Sequence, residues 1–205
     1  MNQGLLLVIS GPSGVGKGTI CRALNELDPS VHLSISVTTR PPREGEREGR
    51  EYFFLSEERF QELIEKDELL EWARVYTYYY GTPRRPVMEA RNAGKDVVLE
   101  IDVQGGFKVR EKCPDSVLIF IFPPSIRELR SRLSRRGTED ADAIETRLRW
   151  AQEELRCYNR YDYVVVNDRV EEAVAKINAI RTAEKCRPRY QRFLTADTSD
   201  QGRED

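Results

Sequence analysis

The 205-residue chain carries a formal net charge of −2, with 39% hydrophobic and 33% charged residues, which suits one domain bearing inserted lobes. The charge balance excludes a protein that coats nucleic acid by overall charge, and four scattered cysteines with a lone His32 exclude a disulfide or zinc framework. No apolar run approaches the ~20 residues of a membrane span, and the first residues lack a secretory pattern, so a cytoplasmic address without membrane or nucleic-acid partners is expected.

Helical and extended patterns alternate along the chain, which predicts an α/β domain with a mainly parallel sheet. Leu5–Ile9 reads as a buried strand and Thr19–Leu27 as a helix. Between them lies "GPSGVGKGT", residues 11 to 19. Strand, glycine-rich turn and helix together make a phosphate-binding loop. Its glycines let backbone N–H groups converge on phosphate oxygens, and the helix N-terminus adds partial positive charge. The loop residues Gly11, Pro12, Ser13, Gly14, Val15, Gly16, Lys17, Gly18 and Thr19 are the expected ATP contacts, with Lys17 reaching the β- and γ-phosphates. Gly18 stands where such loops usually carry a hydroxyl for Mg²⁺, which leaves Thr19 as the nearest substitute.

Residues 32 to 81 break the rhythm and read as an inserted lobe. Extended stretches are expected at Leu33–Val37, Tyr52–Leu55 and Leu69–Tyr76, with a helix near Glu57–Lys66. In "TTRPPREGEREGREYFF", Arg40, Arg43 and Tyr52 form a candidate cradle for an acceptor phosphate. In "LLEWARVY", period-two alternation puts Glu71 on an apolar face, where an unpaired carboxylate is costly. It calls for a protein arginine or a ligand rich in N–H groups.

Alternation then resumes. Thr82-Pro83 predicts a helix start ending near Gly94. "DVVLEID" and "SVLIFIF" read as buried strands, with Glu100 and Asp102 at the carboxyl end of the first, where open α/β sheets bind ligands. Ser125 and Glu128 predict a capping box. "RELRSRLSRRG" packs five arginines before a polar loop, and Arg147 follows it. Arg132, Arg136 and Arg147 are candidates for neutralising a phosphoryl group in transfer, under a closing loop that excludes water. "YDYVVVN" is the last strand, and Val170, Ala173, Val174, Ile177 and Ile180 stripe the last helix. From about Arg187 the sequence is polar and aperiodic.

With these residues in hand, the sequence resembles the guanylate kinases from about Gly4 to Lys185. The motifs are "SGPSGVGKGT", "SVTTRPPREGE", "EYFF", "EWA", "YYGT", "LEIDVQG", "FPPS", "RGTED" and "VVVND"; their number, order and spacing carry the resemblance. It implies the P-loop nucleoside monophosphate kinase fold and the reaction ATP + GMP ⇌ ADP + GDP with Mg²⁺. It also implies one domain over residues 1–186, with a core of 1–31 and 82–186, a GMP-binding lobe of about 32–81 and a lid of about 132–147. Residues 187–205 would form a polar tail. By position, Ser36, Glu71, Thr82 and Asp102 would meet the guanine, and Arg40, Arg43, Tyr52, Tyr80 and Gly81 would surround the GMP phosphate. Lys17, Arg43, Arg132, Arg136 and Arg147 would serve the transfer. Glu100, in place of an aspartate found in several relatives, would line the acceptor side and place Mg²⁺ with Thr19, directly or through water. Asn167 would lie near adenine. Tyr78 stands where several relatives have glycine. A non-catalytic binding module of the same family is the alternative, and the intact glycines and Lys17 speak against it. Use of dGMP and assembly into a homo-oligomer are left open.

Overall fold

The computed structural model describes residues 3–75, 77–134 and 141–190, and only the backbone of 141–144. Its main sheet is built around β1 (Leu6–Ser10), which is flanked by β7 (Val97–Glu100) and β8 (Val117–Phe122). β2 (His32–Leu33) and β9 (Tyr163–Val166) form the edges, giving the order β2-β7-β1-β8-β9 with every pair parallel.

β1 lacks alternation because both its faces are covered. Leu5, Leu7 and Ile9 enter one cluster with Val98 and Ile119, joined by residues of α1 (Lys17–Leu27) and α7 (Val170–Lys185). Leu6 and Val8 enter the opposite cluster with Leu99 and Phe120, joined by α3 (Arg84–Asn92) and α4 (Val103–Lys112). Each such side chain contributes on the order of 1.5–3 kcal/mol on burial. The expected stripe of α7 is realised: Ala173, Val174 and Ile177 are buried, and Val170 and Ile180 pack against the same cluster. A buried Asp96 holds α7 from outside that stripe, 2.8 Å from Arg181 and 2.7 Å from Lys185.

A second sheet has the order β4-β3-β6-β5, from β3 (Val37–Thr38), β4 (Phe53–Phe54), β5 (Leu69–Val75) and β6 (Tyr78–Pro83). Its core is Val37, Phe60 and Leu69, with Phe60 supplied by α2 (Glu57–Glu65). Ser56 caps α2, its side chain accepting from the Arg59 N–H, and Glu57 and Glu58 complement the helix dipole.

Two local expectations change. The single extended stretch Leu33–Val37 divides: His32–Leu33 pairs with β7, and Val37–Thr38 crosses to the second sheet. The helix expected from Thr82-Pro83 forms but starts later, at Arg84: Thr82 pairs with Glu71 across β5 and β6, and Pro83 rather than Thr82 is the cap, without a side-chain bond. The register shift between Leu69 and Glu71 is a bulge that sends Leu70 into the main core. Tyr78 is an ordinary strand residue of β6, paired with Val75, so no glycine is needed there.

Beyond β8, α5 (Ile126–Ser134) and α6 (Ala141–Leu155) pack through Leu129, Leu133, Leu148 and Ala151. Ser125 Oγ accepts from the Glu128 N–H at 3.0 Å, while the Glu128 carboxylate turns to Arg132 Nε at 3.0 Å, so half the capping box is spent on an ion pair. At the end of the described chain, Arg187 and Arg189 pair with Glu184, and a 3-10 turn at Pro188–Tyr190 packs Tyr190 on the core. Ordered structure thus continues past Arg187. Among the described residues, no helix is long and apolar enough to cross a membrane.

Candidate active site

β1 runs into the glycine loop at the carboxyl end of the main sheet, and α1 leaves it. Gly16 caps α1 at φ 99°, a left-handed conformation that a side chain strongly disfavours. The cap makes no side-chain hydrogen bond and the first turn holds no acidic residue, so the first N–H groups of α1 are left to an anion. Lys17 Nζ donates to the carbonyls of Gly11 at 2.6 Å and Pro12 at 3.2 Å, which folds the ammonium over the loop. Ser13 is half-buried; its N–H bonds to Glu154 on α6. Burial pushes the Glu154 carboxyl up, while the nearby Lys17 charge opposes that.

Gly18 lies close against a carboxylate. A Cβ there would lie 3.2 and 3.3 Å from the two oxygens of Glu100, at the end of β7. Glu100 and Thr19 are both exposed beside the loop. Among the described residues, no group of three or more His, Cys, Asp or Glu could hold a metal. A single carboxylate suits a Mg²⁺ ion that keeps phosphate and water as most of its ligands.

Asn167 reaches the loop from the end of β9. Its Nδ2 donates to the Val15 carbonyl at 2.7 Å. Arg132 reaches the same carbonyl through Nη1 at 3.3 Å, and its Nη2 donates to the Asn167 carbonyl at 3.2 Å. With Nε on Glu128, every guanidinium nitrogen of Arg132 meets a protein acceptor. In this structure Arg132 thus grips the loop backbone. Arg147 lies half-buried on α6, and Arg136 falls outside the described residues.

On the second sheet, Arg40, Tyr52 and Tyr80 converge as expected. The Arg40 guanidinium lies 5.5 Å over the Tyr52 ring, and Tyr52 meets Tyr80 edge-on at 5.9 Å between centroids. The sequence reading missed the group that orders them. Glu46 accepts from Arg40 Nη2 at 2.8 and 2.9 Å and from the Arg43 N–H at 2.8 Å, leaving the Arg43 side chain exposed. An acid three residues after Arg43 was the available signal. Burial pushes the Tyr52 hydroxyl up to about 12, helped by the Glu100 charge, so it stays a neutral donor.

Glu71 is 4% exposed, and Thr82 Oγ1 donates to its Oε1 at 2.6 Å. Among the described residues no cation lies within ion-pair distance of it; Lys108 and Lys112 instead donate to the carbonyls of Trp72 and Leu69. Burial pushes the Glu71 carboxyl up to about 7, against the lowering effect of the Thr82 bond. Its Oε2 sits against α4: a Cβ on Gly105 would lie 2.7 Å away. Asp102 caps α4, with Oδ1 accepting from the Gly105 N–H at 2.7 Å. Ser36 lies half-buried between β2 and β3, its carbonyl taken by the Phe53 N–H at 2.9 Å. Gly81 is buried in β6, where a Cβ would meet Leu69 at 3.0 Å and the Glu71 carbonyl at 3.1 Å. Its requirement is close packing.

The sequence profile described as guanylate kinase matches residues 3–184. The chain is 58% identical over 185 residues to a guanylate kinase of Caldanaerobacter subterraneus subsp. tengcongensis, covering 90% of each chain. It is 55% identical to one from Halalkalibacterium halodurans, covering 90% of this chain and 91% of the relative. It also superposes on the crystal structure of guanylate kinase from Anaplasma phagocytophilum with a TM-score of 0.78 at 36% identity, covering 92% of this chain and 90% of the other. With a complete phosphate loop, a buried carboxylate at Glu71 and kinship over nearly its whole length, this chain belongs to the guanylate kinase family.

Proposed function

We infer that the chain binds ATP on the glycine loop and GMP against the second sheet, and transfers the γ-phosphoryl group to give ADP and GDP. The observation that supports this reading best is Glu71, buried with no cation within ion-pair distance among the described residues, and able to accept two parallel N–H donors. Guanine presents such a pair, N1–H beside its N2 amine. The GMP phosphate is assigned to Arg40, Arg43, Tyr52 and Tyr80, and residues of about 32–81 act as the acceptor lobe.

A phosphate oxygen of GMP attacks the γ-phosphorus of ATP as the bond to the β,γ-bridging oxygen breaks and ADP leaves. The protein contributes positioning and charge. The Lys17 ammonium moves from the Gly11 and Pro12 carbonyls onto the β- and γ-phosphates as they enter. Arg147 and Arg136 neutralise the equatorial oxygens from the lid. Mg²⁺ brought with ATP offsets phosphate charge, and Glu100 and Thr19 are the residues that would hold it or its water. The exposed, acidic position of Glu100 beside Gly18 fits that role.

The test offers ATP and Mg²⁺ with GMP, AMP, CMP, UMP and dTMP separately and follows ADP. Turnover with GMP alone is the expected result. Comparable turnover with AMP would overturn the assignment of Glu71 to the base.

A further inference from the structure

The phosphate loop needs its N–H groups aimed inward, yet its glycines impose little stiffness of their own. Lys17 Nζ holds the Gly11 and Pro12 carbonyls from within the loop, and the planes further along need a holder outside it. The bond between Val15 and Gly16 has such a holder. Asn167 Nδ2 at 2.7 Å and Arg132 Nη1 at 3.3 Å both donate to the Val15 carbonyl. In a trans peptide, the carbonyl and the following N–H point in opposite directions within one plane. Pinning the Val15 oxygen therefore aims the Gly16 N–H the other way, away from Asn167 and Arg132.

Asn167 is well placed for this. It is 3% exposed, and its own N–H donates to the Phe122 carbonyl at 2.8 Å, so the end of β9 is fixed to β8. Its carbonyl takes Arg132 Nη2 at 3.2 Å, closing a small ring of bonds between α5, β9 and the loop. Its Oδ1 is buried without a protein partner, so the Val15 bond is what orients the amide. Gly16 admits the amide closely: a Cβ there would lie 2.5 Å from Nδ2. Gly14 rests on the same outer support, since a Cβ there would lie 2.8 Å from Leu133 of α5.

We propose that Asn167, with Arg132, is a positioning residue for the donor phosphates, acting through the Val15–Gly16 peptide and not only through contact with the nucleotide base. This rests on the assignment of the glycine loop to ATP. It predicts that Asn167 governs affinity for a polyphosphate that has no base at all.

The experiment measures binding of inorganic tripolyphosphate to the parent, to Asn167→Leu, which keeps the branching without the hydrogen bond, and to the smaller Asn167→Ser. Affinity should fall about tenfold in both, the size expected for one lost hydrogen bond in a phosphate site. GMP affinity should stay within about twofold, and kcat/KM should fall by the same factor with ATP and with ITP, which lacks the exocyclic amine of adenine. Tripolyphosphate affinity within about twofold of the parent overturns the proposal, leaving base contact as the role of Asn167. Loss of GMP binding alongside it also overturns the proposal, since that marks a general folding role. Lys17→Ala tests the underlying assignment separately: if it binds tripolyphosphate as the parent does, the loop is not the donor site.

Discussion

Thr82 Oγ1 donates to Glu71 Oε1 at 2.6 Å from the position directly opposite it in the β5–β6 ladder. The bond commits the threonine proton to the carboxylate, so Thr82 supplies no donor to guanine O6 in this arrangement. That leaves Ser36 as the hydroxyl of the expected pair for O6. It also fixes the plane of the Glu71 carboxylate while its second oxygen rests against α4.

The same carboxylate makes stability depend on pH. Its value of about 7 in the folded chain lies above the ~4.3 of an unfolded glutamate, so the native state holds the proton more tightly. Its contribution is present in full below the unfolded value and is lost as pH rises through about 7. The total is on the order of 3 kcal/mol. The melting temperature of the parent should fall relative to Glu71→Gln between about pH 5 and pH 8. GMP, which favours the ionised form, should release a proton on binding near pH 6 and none near pH 8.5. Calorimetry in two buffers of different ionisation enthalpy checks this; equal proton release at both pH values would contradict it.

Gly105 should be intolerant of a single methyl group. An added Cβ would lie 2.7 Å from Glu71 Oε2 and 3.3 Å from Asp102 Oδ1. Glu71 is buried and tied to Thr82, so it has little room to yield. Gly105→Ala favours the helix by ~1 kcal/mol yet should raise KM for GMP by about tenfold, with KM for ATP little changed. Steady-state kinetics decide it: an unchanged KM for GMP would remove Glu71 from the acceptor site.

Much of this arrangement was legible in the sequence, because strand, glycine turn and helix are local patterns and Glu71 violates an otherwise apolar face. What stayed hidden depends on distant partners. β6 was not foreseen: its tyrosines and glycine carry no alternation, and its form comes from pairing with β5 and β3. The split of residues 33–37 follows from two sheets competing for one short segment. Arg132 read as a cation for the transferring phosphoryl group, and its bonds to Val15 and Asn167, 35 or more positions away, were not legible. Gly105 matters only because the chain returns beside it, whereas Glu46, three residues from Arg43, was a local signal passed over.

Divalent-ion dependence should move with Glu100. Glu100→Gln and Thr19→Val should each raise the Mg²⁺ concentration for half-maximal activity, the first by about tenfold because a charge is removed. A Mg²⁺ titration of each variant at saturating ATP and GMP is the check. Unchanged midpoints in both would mean that phosphate and water hold the ion without these side chains.

The most direct measurement is competition between GMP and AMP on the parent and on Glu71→Gln. In the parent, AMP would leave a buried carboxylate facing the N1 acceptor of adenine, and a site built on such hydrogen bonds discriminates by roughly 10⁴–10⁵. Glu71→Gln keeps the shape but loses the double acceptance, so the preference for GMP should fall by about a hundredfold or more while KM for ATP stays put. An unchanged preference for GMP in the variant would contradict the account and return Glu71 to a structural role beside Thr82.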